Sequence, residues 1–212
     1  MTRAPAILYY VHDPMCSWCW GFRPVLLQLK QQLAAPVTFR SLVGGLAADS
    51  DVPMPVTLQR NLQATWQRIQ QAIPGTRFNF DFWTRNIPRR STYPACRAVI
   101  AARRLDARLE DEMTFGIQQA YYLQAKNPSD LETLGEIALN IGLDQKEFEQ
   151  LMHSSEIEDL FTQELDRVRA IHVSSFPSLV LQLDASLYPV TLDYISAQKL
   201  LDEINRLVSR HP

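Results

Sequence analysis

Strand-like texture occurs only toward the two ends of this chain, and that interruption limits the folds open to it more than any other feature. Residues 6–11, Ala-Ile-Leu-Tyr-Tyr-Val, are apolar without alternation, the pattern of a strand covered on both faces. After Asp13-Pro14, apolar residues recur at Phe22, Val25, Leu26, Leu29 and Leu33, the stripe of a helix laid on a sheet. Pro36 closes that helix and 37–43 read as a second strand, giving a βαβ unit. Pro24 falls inside the helix and is expected to kink it near the Trp20 carbonyl.

From Gly44-Gly45 the texture changes. Asp49-Ser50-Asp51, Pro53 and Pro55 read as a linker, and helical periodicity then predicts helices over about 57–73, 92–109, 112–123, 129–141, 145–152 and 155–171. Ser129 with Glu132 and Ser155 with Glu158 have capping-box spacing, and Gly142 is placed to stop a helix. Strand texture returns at 178–183 and 187–192, joined across 184–186 with hairpin spacing, and an amphipathic helix follows over 196–208. This order predicts an α/β fold in which 1–45 and 172–212 build one discontinuous sheet domain around an all-helical insertion, 46–171.

Composition narrows the functional classes. With 212 residues, 46% of them hydrophobic, the chain can bury a core without a disulfide scaffold. Its 21 Lys and Arg against 23 Asp and Glu give a net charge of -2, which supplies no field for grasping a polyphosphate backbone; nucleic acid is not an expected partner. The apolar run near the start is far shorter than a membrane span, so neither a secretory signal nor a membrane anchor is expected. Three cysteines are too few and too oddly numbered for a stapled secreted fold, which points to a reducing compartment and a cytoplasmic protein.

Two of the three form Cys16-Ser17-Trp18-Cys19, where the first strand hands over to its helix. A bridge this short closes so small a loop that its chain-entropy stabilisation is only about 2 kcal/mol. The pair is better suited to chemistry. Cys16 at the helix start faces amide N–H groups without intrahelical partners and the positive end of the helix dipole, both of which favour a thiolate. Bringing a thiol from its ordinary pKa of about 8.5 to neutrality or below takes about 2 kcal/mol or more, whereas the dipole typically contributes about 0.3–1. Hydrogen bonds from the Trp18 and Cys19 N–H groups and the Cys19 S–H are expected to supply the remainder. Cys16 is therefore the expected nucleophile, and Cys19, one turn deeper, the thiol that stays protonated until it resolves a mixed disulfide. No metal is expected: zinc wants paired Cys or His ligands, and Cys96, His153, His172 and His211 are isolated in sequence.

Taken together, the strand, the Cys-x-x-Cys, Pro24 and the late Ser175-Phe176-Pro177-Ser178 resemble the thioredoxin superfamily. The helical insert, Asp13-Pro-Met-Cys-Ser-Trp-Cys-Trp-Gly-Phe, Tyr93-Pro-Ala-Cys-Arg-Ala and the segment from Val173 to Val180 resemble its DsbA branch, and more narrowly the FrnE-like dithiol-disulfide isomerases. The resemblance implies a thioredoxin-like fold and a protein disulfide oxidoreductase or isomerase in which Cys16 attacks and Cys19 resolves. It makes Pro177 the cis-proline facing the pair, with Phe176 and Ser175 beside it as substrate-binding residues. Family members commonly carry Gly where Ser175 stands, and DsbA has a buried glutamate where Tyr10 stands; His12 or Asp13 could take over its proton relay. Trp18, expected to point outward, could offer an apolar landing surface, while Trp20 and Phe22 read as core and Cys96 as structural filling. Arg85, Arg89, Arg90, Arg97, Arg103, Arg104 and Arg108 are expected to be solvated helix faces, with attraction for glutathione carboxylates or acidic peptides as the other reading.

The expected partners are disulfide-containing proteins or peptides, with glutathione or another thiol system as electron donor, no further cofactor, and no oligomeric state specified. Two other readings stay open: a kappa-type glutathione transferase, which would use a serine where Cys16 stands, and a redox-silent chaperone-like binding module.

Overall fold

The structure is a computed structural model that describes residues 6–210. Residues 1–5 and 211–212, which the expected sheet-domain bounds include, lie outside the described residues, as does His211.

Strand β1 (Ala6–His12) leads into helix α1 (Ser17–Gln32) and strand β2 (Val37–Val43). The helical region holds α2 (Val56–Ala72), α3 (Phe82–Arg85), α4 (Tyr93–Leu105), a short 3-10 turn (Ala107–Leu109), α5 (Glu110–Tyr122), α6 (Leu131–Asn140), α7 (Gln145–Met152) and α8 (Ser155–Ala170). The chain returns to the sheet through β3 (Ser178–Leu183) and β4 (Ser186–Val190) and ends in α9 (Ala197–Ser209). The sheet runs β2-β1-β3-β4, with β1 parallel to β2 and the other neighbours antiparallel.

The unbroken apolar run of β1 follows from this position. As a central strand it is covered twice: Leu8 and Tyr10 pack with Phe22, Val25, Leu29 and Leu200 under α1 and α9, while Tyr9 and Val11 pack on the other face with Val168 and Ile171 of the α8 end. The helical core is separate and aromatic. Trp66 stacks on Phe78 with centroids 4.9 Å apart and meets Trp83, Tyr121 and Tyr122 at 4.9 to 5.5 Å. Met15 and Val43, at the carboxyl ends of β1 and β2, belong to this helical core, so the helices close over the end of the sheet that carries the cysteine pair.

Several expectations need correction. Ser129 is no cap: its hydroxyl donates to the Ser91 carbonyl at 2.7 Å, and Asp130 precedes α6. Ser154, not Ser155, caps α8, its hydroxyl accepting from the Ile157 N–H. The helix expected to reach residue 109 ends at Leu105, because Asp106 turns extended and its carboxylate accepts the Arg108 N–H at 2.9 Å, starting the 3-10 turn. Helix α3 gave no periodic signal because it is only four residues long. Helix α1 continues through Pro24, and Pro189 lies in the edge strand β4, where a missing N–H is tolerated. Gly142 ends α6 with a positive φ of 89°, the backbone region in which glycine carries no Cβ penalty.

Truncating Trp66 to Ala removes the ring on which this aromatic cluster converges and should destabilise the fold by about 3–5 kcal/mol in urea unfolding. Ile195→Ala, at a side chain 63% exposed, should change stability by less than about 0.5 kcal/mol.

Candidate active site

The turn from β1 to α1 is fixed by one side chain. The Asp13 carboxylate accepts the Met15 N–H at 2.8 Å, an Asx-type turn, while the Asp13 carbonyl accepts the Cys16 N–H at 2.9 Å. Cys16 is thereby set as the residue before α1, extended at φ -82° and ψ 117°, and its carbonyl accepts the first helical bond, from the Trp20 N–H at 3.1 Å.

The two thiols then experience different surroundings. Cys16 is 7% exposed and Cys19 is fully buried. A hydrogen bond from the Cys19 thiol, with further ones from the Cys19 and Trp18 N–H groups, pulls the Cys16 pKa below the ordinary thiol value despite burial and the nearby Asp13 charge. Burial, followed by the hydrogen bond and charge of Cys16, pushes Cys19 well above it. The pair can hold one anion, on the outer sulfur. All three cysteines are free.

The loop before β3 faces the pair. The Phe176–Pro177 bond is cis, and the Cys16 Sγ, as a thiol, donates to the Phe176 carbonyl at 3.5 Å. Pro177 is buried and Phe176 half-buried, while Ser175 is exposed, its carbonyl accepting the Ser178 hydroxyl at 2.7 Å. The Phe176 ring covers Gly44: a Cβ there would lie 2.0 Å from its Cε1. The Gly44 N–H in turn donates to the His12 carbonyl at 2.7 Å, tying the loop after β2 to the end of β1.

Trp18 does not stand free: it is half-buried, edge-on to Tyr194 at 5.3 Å. Phe22 is fully buried, and Trp20 is half-buried, its indole donating to the Arg77 carbonyl at 3.0 Å. His12 is buried and stacked on Tyr10 with centroids 4.9 Å apart. The Asp13 carboxylate also accepts from the Leu46 N–H at 2.7 Å, the Thr92 hydroxyl at 2.6 Å and the Cys96 thiol at 3.6 Å. Burial raises its pKa while these hydrogen bonds hold it down. Thr92 and Leu46 were not singled out in the sequence, which offered no local signal for partners reached across the fold.

Among the described residues, six of the seven arginines in the run, all but Arg90, are paired with carboxylates. Arg85 pairs with Asp81, Arg89 with Asp130, Arg97 with Asp49 and Glu158, Arg103 with Glu110 and Glu164, Arg104 with Glu156 and Arg108 with Asp106. Among the described residues no group of three or more His, Cys, Asp or Glu is placed to hold a metal ion.

Because the Cys19 thiol is the largest influence lowering the Cys16 pKa, Cys19→Ala should move the midpoint of Cys16 alkylation by iodoacetamide upward by about one pH unit, one hydrogen bond's worth. An unchanged midpoint would show that the backbone N–H groups suffice.

Comparison with known proteins places the fold. A family profile described as thioredoxin matches residues 9–187. A candidate protein disulfide isomerase from Nitrosomonas europaea is 25% identical, with a TM-score of 0.85 covering 99% of this chain and 100% of the other. The cytosolic disulfide reductase DsbM from Pseudomonas aeruginosa shares the fold at 23% identity and a TM-score of 0.74, covering 96% and 99%. In sequence, the ClpXP adapter protein SpxH of Bacillus subtilis is 26% identical over 179 residues, 84% of this chain but 58% of that relative's length. With the family match spanning most of the sequence, from β1 into β4, the chain belongs to the thioredoxin family and has a DsbA-like fold.

Proposed function

We propose that the protein is a thiol-disulfide oxidoreductase in which the Cys16 thiolate attacks a substrate disulfide and Cys19 resolves the mixed disulfide. The observation that carries this reading is the electrostatic division within the pair: the outer sulfur is favoured as an anion by hydrogen bonds, and the inner one is kept protonated by burial. Attack depends on thiolate fraction and access, and Cys16 combines both better than Cys19 or Cys96, which are fully buried.

An extended substrate segment is proposed to lie along the loop from Ser175 to Pro177, pairing with the Phe176 backbone as an added strand does, with Trp18 and its neighbour Tyr194 offering apolar contact. Substrates would be disulfide-containing proteins or peptides. In a reducing cytoplasm the pair would rest as a dithiol, favouring reduction or isomerisation, the latter as in the FrnE-like branch. Glutathione is the proposed electron donor; support comes from DsbM, described as a cytosolic reductase and also solved with GSH. Among the described residues no helix is long and apolar enough to cross a membrane.

A second reading, a binding module with an idle cysteine pair, is favoured by the description of the SpxH relative as an adapter protein. The two part on covalent chemistry. In Cys19→Ser, disulfide-bonded proteins should accumulate on Cys16 and disappear when Cys16→Ser is added. Wild-type protein should reduce insulin or refold scrambled ribonuclease, and Cys16→Ser should do neither. Equal binding of unfolded chains by wild type and the double serine variant, with no trapped adduct, would establish the adapter reading instead.

A further inference from the structure

Resolution of a mixed disulfide requires Cys19 to lose its proton, yet Cys19 is fully buried. The Asp13 carboxylate is already engaged by Met15, Leu46, Thr92 and Cys96. A different pair of groups is better placed. A cavity of about 20 Å³ abuts Cys19 and is lined also by Tyr10, His12, Arg23 and Gln118. His12 and Gln118 are 1% and 2% exposed, and His12 Nδ1 and Gln118 Oε1 have no hydrogen-bond partner among the described residues. Buried polar atoms are seldom left unpaired, and a water needs about 10–15 Å³ with two or more polar partners. The cavity has the volume, and two of its lining residues carry such unpaired atoms. Its lining residues Phe39, Ser41 and Asp111 also line an open cleft of about 680 Å³, which gives it a route to solvent.

Resting on the oxidoreductase reading, we propose that His12 and Gln118 hold one water against Cys19 and that this water accepts the Cys19 proton during resolution. The two acceptors engage both hydrogens of the water, leaving its lone pairs for the Cys19 S–H. As the water takes the Cys19 proton it gives up one of its own along its hydrogen bond to His12 Nδ1, and the imidazolium releases that proton to solvent through the cleft at Asp111. The Cys19 thiolate attacks the Cys16 sulfur of the mixed disulfide, the Cys16–Cys19 bond forms, and the Cys16–substrate bond breaks. The substrate sulfur leaves with the electron pair, reduced as the cysteine pair is oxidised. His12 can serve as an acceptor because burial lowers its pKa to about 4, leaving the imidazole neutral above that pH. The groups around it are Tyr10 on β1, Arg23 and Lys30 on α1, Arg103 on α4 and Asp111 on α5; Asp111 favours its charged form and the three cations oppose it. Tyr10, raised far above the ordinary phenol range by burial, is not a base near neutrality. Gln118 lies on α5, so half of this water site comes from the helical region.

The aromatic disulfide dithiobis(nitrobenzoate) separates the two steps: one thionitrobenzoate is released when Cys16 attacks and a second when Cys19 resolves. In Gln118→Leu and Gln118→Met the second phase should slow by at least about tenfold. Its rate should also come to rise with hydroxide between about pH 6 and about 9, as Cys19 titrates directly. Gln118→Glu, which restores an acceptor, should recover most of the rate. A second phase of wild-type rate and pH profile in the Leu and Met variants overturns the water site and leaves the oxidoreductase reading standing. A slowed phase with an unaltered pH profile, not recovered by Gln118→Glu, assigns Gln118 a purely structural role and likewise overturns it. Absence of any first phase at Cys16 in the wild type would overturn the oxidoreductase reading, and the water site with it.

Discussion

A carboxylate withdrawn from water must replace its hydration with fixed donors, and Asp13 does so with four groups drawn from three places in the chain. Its own turn supplies Met15, the loop after β2 supplies Leu46, and the start of α4 supplies Thr92 and Cys96. Hydrogen bonds to a buried charge each contribute more than neutral ones, and an orphaned partner costs more still. One side chain therefore locks the β1–α1 turn to the helical region, while its carbonyl receives the Cys16 N–H. The position of the cysteine pair depends on this knot more than on α1 itself.

The knot also accounts for the restraint of the site. A negative charge beside two thiols opposes ionisation of both, although at Cys19 a hydrogen bond from the Asp13 backbone works the other way. Cys16 is lowered nonetheless because its stabilisation is local and directional, through the Cys19 thiol and two backbone N–H groups. The arrangement sets a moderate bias toward the outer thiolate, with no imidazolium or arginine among the principal causes.

Much of this was legible along the chain. The gapless run of β1 announced a strand buried twice, and its two faces divide between Leu8 and Tyr10 on one side and Tyr9 and Val11 on the other. The Cys-x-x-Cys at a strand-to-helix junction carried its own chemistry, because the position of a thiol relative to a helix start is a local property. What stayed hidden was set by distant contacts. Ser129 has the right spacing for a cap, but its hydroxyl is drawn away by the Ser91 carbonyl. Thr92, Gln118 and Gly44 become part of the site only when α4, α5 and the loop after β2 fold against it. The arginine run showed its sign but not its carboxylate partners, most of which come from other elements.

The contact between Gly44 and the Phe176 ring carries a further consequence. A methyl group at position 44 would occupy the space of two ring carbons, at 2.0 and 2.1 Å, so the two positions compete for one volume. A descendant of this chain that acquires any side chain at 44 must shrink or swing the aromatic at 176, and the edge on which a bound polypeptide would rest would move with it. Drift at an otherwise plain loop glycine thus has a direct route to altered selectivity, and the two sites should vary in concert across lineages.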